Sequence, residues 1–245
     1  MTYLLIFGFI AALANIAGGY WLTSRRRISA AFLASIVALG SGFMLAAVFL
    51  EIIPAAVDLW PQMPQVPMAL ILLGYLLLQL FEHTVVPHFH LGEETHTDAI
   101  LSKNAMIAAL SGLAMHTFFD GVSIAAGLLV EFRLGLLIFL AVVAHKIPDG
   151  VTVASIVLAS GQSRRLAQQA TLFVAGSTLA GVVAVGLLES SVRYALPISA
   201  GVTLYVAASD LIPEVNKEGR FTSFIVFAGV ALFYLTDQLL EQIGL

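Results

Sequence analysis

The sequence predicts an all-α integral membrane protein of eight transmembrane helices. Three observations carry that expectation. Of its 245 residues, 60% are hydrophobic and 11% charged, where soluble domains average about 45–50% and about 25%. The mean hydropathy is +0.98 over the whole length. Seven polar breaks cut the chain into eight stretches, each near the roughly 20 apolar residues that cross a bilayer.

The first stretch, 2 to 22, ends at Ser24 to Arg27, and the second, 30 to 58, ends before Pro61 to Pro67. The third, 68 to 88, runs into the polar segment His90 to Lys103. The fourth, 104 to 130, and the fifth, 134 to 160, are parted by Glu131 to Arg133, and the fifth stops at Gly161 to Arg165. The sixth, 169 to 188, stops at Glu189 to Arg193, the seventh, 195 to 214, at Asn216 to Arg220, and the eighth covers 221 to 241. Barrel strands would show alternating segments of about ten residues, and these runs are longer and do not alternate. The whole of 1–245 reads as one transmembrane domain.

Cytoplasmic loops collect Lys and Arg. Alternate loops from the first hold Arg25, Arg26, Arg27, Lys103, Arg164, Arg165, Lys217 and Arg220, while the other side has only Arg133 and Arg193. That bias predicts a multi-pass protein of the cell membrane, plasma or bacterial inner, with both termini extracytoplasmic and the loop at about 89–103 inside. The first stretch lacks a basic segment before it, so it reads as a span and not as a cleaved signal.

The formal net charge of -4 is small and dispersed, which excludes a basic surface for nucleic-acid phosphates. With no cysteine, thiolate catalysis and thiolate metal sites are excluded too, so any metal must be held by nitrogen and oxygen, with a thioether as the one sulfur option.

An ionisable side chain at the bilayer centre costs about 2.5–3.5 kcal/mol on insertion scales, yet the fourth and fifth spans hold His116, Asp120, His145, Lys146 and Asp149. His116 and Asp120 are four residues apart, as are His145 and Asp149, so each pair shares a helix face. Two imidazoles and two carboxylates brought together suit zinc and neighbouring divalent ions, including ferrous iron, manganese and cadmium. The alternative is a hydrogen-bond network without metal; two pairs in adjacent spans, each followed by glycine, favour the metal. Pro148 removes one backbone donor and frees a carbonyl near Ala144, and Pro54 and Pro213 do the same beside Glu51 and Asp210. Lys146 can pair with Asp149 or with Asp120, which puts a fixed charge where a second cation would sit and predicts one metal; the alternative is a lysine that points away or has lost its proton through desolvation.

Glu51 and Asp210 read equally well as gate or pathway residues and as helix-end caps facing headgroups. Met44 lies seven residues before Glu51, on nearly the same face; its thioether is either a weak ligand or packing. His88, His90 and His96, with acids between them, are a loose metal-binding loop or an ordinary solvated one. Glu51-Ile-Ile-Pro54 is echoed by Asp210-Leu-Ile-Pro213, and the fourth-span motif by the fifth. Those echoes hint at halves related by an axis in the membrane, a design common in secondary transporters.

At these residues the sequence resembles the ZIP family of zinc- and iron-regulated-transporter-like metal permeases. The likeness rests on His116-x-x-x-Asp120-Gly121, His145-Lys146-Ile-Pro148-Asp149-Gly150, Gly42-Phe-Met44-Leu-Ala-Ala and Leu204-Tyr-Val-Ala-Ala-Ser-Asp210-Leu-Ile-Pro213-Glu214. It implies a 3+2+3 inverted-repeat-like bundle in which the fourth and fifth spans, with the second and seventh around them, enclose the transport site. It also implies a metal site of His116, Asp120, His145 and Asp149, with Met44 as a further ligand. Members with two metals have Asn or Asp where this chain has Thr117 and Lys146, and an acid in the sixth span where Gly176-Ser177-Thr178 stands. Asp at 120 and 149 replaces the commoner Glu.

The expectation is therefore a non-enzymatic transporter carrying divalent metal, zinc first, into the cytoplasm by alternating access. Metal is its substrate and no cofactor is needed; its partners are that ion and the lipid bilayer, and its small-residue faces permit a homodimer. Thr117, Lys146, Glu51 and Asp210 would line or gate the path. The rivals are an intramembrane metal-dependent hydrolase, which lacks an obvious general base here, and a proton-linked solute carrier.

Overall fold

The computed structural model describes residues 1–24, 29–85, 102–217 and 219–244. His88, His90 and His96, and the arginines at 25–27, lie outside the described residues. Among the described residues there is no strand, and eight helical stretches are long and apolar enough to cross a membrane.

The first span is α1 (Thr2–Thr23). The second is α2 (Ala30–Ala47), a π-helical turn (Val48–Ile52) and α3 (Ile53–Asp58). The third is α4 (Gln65–Val85), the fourth α5 (Lys103–Val130), the fifth α6 (Phe132–Ala159) and the sixth α7 (Arg164–Leu187). The seventh runs from a 3-10 turn (Glu189–Ser191) through α8 (Val192–Tyr205), a second π turn (Val206–Leu211) and α9 (Ile212–Lys217). The last is α10 (Arg220–Gln242).

The sixth span begins five residues before the expected position, and the reason is local. Ser163 accepts from the Leu166 N–H at 3.2 Å, a capping bond that starts the helix there. The polar residues that read as loop have work to do on its first turns. Arg164 Nη1 donates to the Thr23 carbonyl at 3.1 Å and Gln168 Nε2 to the Thr23 hydroxyl at 3.2 Å. They supply partners at the end of α1, where helical carbonyls have none of their own.

The two proline echoes fold alike. A proline cannot donate to the carbonyl one turn back, and in both spans the ladder widens just before it. The Ile53 N–H bonds to the Val48 carbonyl, and the Ile212 N–H to the Ala207 carbonyl, each five residues back. Glu51 and Asp210 ride in these wide turns. Pro148 acts differently: α6 continues through it. Its freed carbonyl, that of Ala144, sits 3.4 Å from where a β-carbon on Gly40 of α2 would be, so α2 lies over the gap.

Two sets of helices emerge from the packing. α1 lies along α6 and α7, and α5 along α7 and α6; separately, α10 lies along α2, and α4 along α8. The sets meet where α2 contacts α6 and α5 contacts α8. Within the first set backbones touch. A β-carbon on Gly150 would stand 1.9 Å from the Asn15 carbonyl oxygen, and one on Gly18 2.0 Å from that of Ile147. α5 and α7 meet the same way through Gly121 and Gly181. Such small-residue contacts hold membrane helices together where no hydrophobic gain separates lipid from protein.

Candidate metal site

Glu131 alone separates α5 from α6, with extended backbone (φ -157°, ψ 138°). The two helices turn back on each other immediately. Gly127 and Gly135 permit this: a β-carbon on Gly135 would lie 2.5 Å from Leu128 Cα. His116 lies 15 residues before the turn and His145 14 after it, so at 1.5 Å per residue both stand roughly 22 Å from the hairpin end. The turn thus brings the imidazoles to one level, with ring centroids 5.6 Å apart.

This level is polar between two apolar layers. Toward the hairpin lie Ile124, Leu128, Leu134, Ile138 and Val142; on the other side lie Met106, Leu113, Val153 and Val157. His116, Asp120, His145 and Asp149 are all buried, and one ligand atom from each falls within 4.8 Å of the others. His116 Nε2 is 3.1 Å from Asp120 Oδ2 and 3.7 Å from Asp149 Oδ2. His145 Nε2 is 3.4 Å and 4.0 Å from the same two oxygens.

The orientation of His145 is fixed from behind. Its Nδ1 lies 2.9 Å from the Ala141 carbonyl, and because a carbonyl only accepts, Nδ1 carries the proton. Nε2 points toward the carboxylate oxygens, and in the neutral ring its lone pair is open to a metal held between them, the arrangement seen behind metal-ligating histidines. Lys146 reaches the same place. Fully buried, it donates to Asp120 Oδ2 at 2.5 Å and to Asp149 Oδ2 at 3.0 Å. Both pairings open to it from sequence are made together.

Thr117 is buried and its hydroxyl donates back to the Leu113 carbonyl at 2.5 Å. Met44 is fully buried in a cluster with Ala47, Val206 and Ala207, against the π turn of the seventh span. Glu51 accepts from Arg133 Nη2 at 3.2 Å, and Arg133 also pairs with Asp237 of α10. Asp210 is buried, and its Oδ2 has no hydrogen-bond partner among the described residues. The neighbouring Ser209 hydroxyl lies 2.7 Å from that of Tyr75 on α4.

Two features escape the sequence reasoning. Arg133 reads as the edge of a span and Asp237 lies unremarked inside the last one, and nothing in one sequence links residues 104 apart. Asn15 is fully buried against the Gly150 backbone, its amide without a partner among the described residues. Its signal is present in the sequence all the same: a lone amide inside an apolar run beside Gly18 and Gly19.

Comparison with known proteins agrees with the motifs. The sequence model of the ZIP zinc transporter family matches residues 88–237, which include both His/Asp motifs. The chain is 32% identical over 141 residues to the zinc transporter ZIP13 homolog of Drosophila melanogaster, covering 53% of this chain and 40% of that protein. It is 34% identical over 109 residues to zinc transporter ZIP4 of Homo sapiens, covering 43% and 17%, and 29% identical over 162 residues to zinc transporter ZIP9 of Micropogonias undulatus, covering 61% and 52%. The match thus spans about half of these relatives or less. With more than half of its length matched by the family's own sequence model, this multi-pass membrane chain belongs to the ZIP zinc transporter family.

Proposed function

We propose that the chain carries divalent metal cations, zinc first and iron, manganese and cadmium besides, across the cell membrane into the cytoplasm. One observation carries the reading: two imidazoles and two carboxylates, buried midway along two long antiparallel helices, offer ligand atoms within 4.8 Å of one another. Nitrogen and oxygen donors in that number suit borderline divalent ions. His116, Asp120, His145 and Asp149 are the ligands, with Met44 a further one. The site takes a single metal, since Lys146 occupies the flank where a second would bind.

Metal passes Glu51 on one side of the site and Asp210 on the other, with Thr117 beside the path, and leaves toward His88, His90 and His96. The Lys/Arg bias supports extracytoplasmic termini. Matching π turns around Glu51 and Asp210 support a 3+2+3 bundle with inverted halves, forming one transporter domain over 1–245. Alternating access is a movement of α1, α5, α6 and α7 against α2, α4, α8 and α10. Supporting it, backbones touch within the first set, whereas Gly40 meets Ala144 across the sets at ordinary contact distance.

The test is uptake of zinc, manganese, ferrous iron and cadmium into proteoliposomes by wild type, His145→Ala and Asp149→Ala. Uptake by wild type that both substitutions abolish, with folding intact, is the expected result. Stoichiometric binding without flux would overturn the transporter reading and turn attention to metal-assisted hydrolysis.

A further inference from the structure

Lys146 is one of the largest side chains fully buried among the described residues, and what it holds is specific. Its Nζ touches Asp120 Oδ2 and Asp149 Oδ2, the two oxygens that also face both imidazoles. A zinc ion bound to those oxygens would stand about 2.0–2.2 Å from each. An ammonium within hydrogen-bond reach of the same atoms is then in direct electrostatic conflict with it. Metal arrival must push Nζ back from at least one oxygen, and metal departure lets it return.

With both imidazoles neutral and no lysine, two carboxylates would give the empty site two net negative charges, and a divalent ion would make it neutral. With the ammonium, the empty site carries one net negative charge and the loaded site one net positive charge. The cost of carrying charge through a poorly polarisable interior grows as its square. Lys146 therefore makes the two legs of a carrier cycle comparable, where otherwise the loaded leg would be easy and the empty leg prohibitive.

We propose that Lys146 is the return cation of the carrier. It replaces the departing metal between Asp120 and Asp149 and lets the empty site reorient without a counter-ion bound in its place. This rests on the transporter reading above, and deepens it: the residue determines net transport as against exchange.

The experiment compares two fluxes in the same proteoliposomes. Net zinc uptake into metal-free vesicles needs the empty leg; exchange of labelled for unlabelled zinc at equal concentrations does not. In Lys146→Met the ratio of net uptake to exchange should fall about tenfold or more, whatever happens to the half-saturating concentration. Lys146→Arg should keep most of the ratio. Lys146→Gln, which keeps an N–H donor for the same oxygens without the charge, should lose the ratio as Lys146→Met does, and it gives a second uncharged protein to test if Lys146→Met does not fold. A wild-type ratio in Lys146→Met or in Lys146→Gln overturns the assignment. If wild type shows neither flux, the transporter reading itself fails, and the Lys146 role with it.

Discussion

Arg133, on the first turn of α6, donates through Nη2 to Glu51 in the π turn of the second span, 3.2 Å away, and through the same nitrogen pairs with Asp237 of α10. One guanidinium thus ties the helix carrying His145 and Asp149 to both elements that flank it from the other set. The three side chains are 14–22% exposed, sheltered enough for the pairing to matter. Removing Arg133 leaves two carboxylates facing each other. Arg133→Met should lower the unfolding temperature in detergent, and adding Glu51→Gln with Asp237→Asn should restore most of it. A double-mutant cycle between Arg133→Met and Glu51→Gln should give a coupling on the order of 1 kcal/mol. A coupling near zero would reduce the bridge to a surface contact.

Two glycines make opposite predictions from the same substitution. At Gly150 an alanine β-carbon would meet the Asn15 carbonyl at 1.9 Å, with the Gly19 nitrogen at 2.9 Å. Both are backbone atoms inside a packed pair, so α1 and α6 must separate. Gly150→Ala should cost about 1–3 kcal/mol and disturb Asp149, its neighbour in the chain. At Gly176 a β-carbon meets nothing within 4 Å. There alanine only removes a flexible residue from a helix, and should stabilise by about 0.5–1 kcal/mol. Unfolding temperatures of the two variants decide; equal shifts would mean that the close α1–α6 contact is not what glycine serves.

Much of this site is legible in the amino-acid sequence. His116 and Asp120, and His145 and Asp149, declare a shared face by their spacing, and the near-equal distances of the histidines from Glu131 place them at one level. Charge at mid-membrane is costly enough that such a cluster has few innocent explanations. The π turns are only half legible: proline announces a lost donor, but whether the helix kinks or widens, as it does at Glu51 and Asp210, depends on neighbouring spans. Pro148, with the same chemistry, leaves α6 helical. The start of the sixth span is hidden because Arg164 and Gln168 read as loop residues, and their partner Thr23 is 141 and 145 residues away. Long-range polar pairs leave no periodic trace.

The Asp120 carboxylate should prove dearer to stability than its size suggests. It accepts from Lys146 and lies against both imidazoles. Breaking a buried ion pair by removing one partner costs about 3–5 kcal/mol, and here Asp149 remains to moderate the loss. Asp120→Asn should therefore destabilise by on the order of 2–3 kcal/mol, while Asp120→Asn with Lys146→Met should be closer to wild type than the first substitution alone. Thermal unfolding without added metal measures both. If the double variant is the sum of the singles, Asp120 and Lys146 do not act as a pair.

Acid should weaken metal binding with a slope that counts imidazoles. A histidine binds metal through an unprotonated nitrogen, so protons and metal compete for His116 Nε2 and His145 Nε2. Over the acidic range in which the rings of the empty site take up protons, each further pH unit therefore costs up to about tenfold in affinity per competing ring, or about a hundredfold for two. Binding is strongest where both rings are unprotonated, and is lost as pH falls. His145→Ala removes one competitor, so the logarithm of its metal affinity should fall with about half the wild-type slope, from a weaker starting value. Calorimetric titration with zinc at a series of pH values gives both slopes. Equal slopes in wild type and His145→Ala would mean that His145, despite the Nδ1 bond to Ala141 that turns its other nitrogen toward Asp120, does not hold the metal.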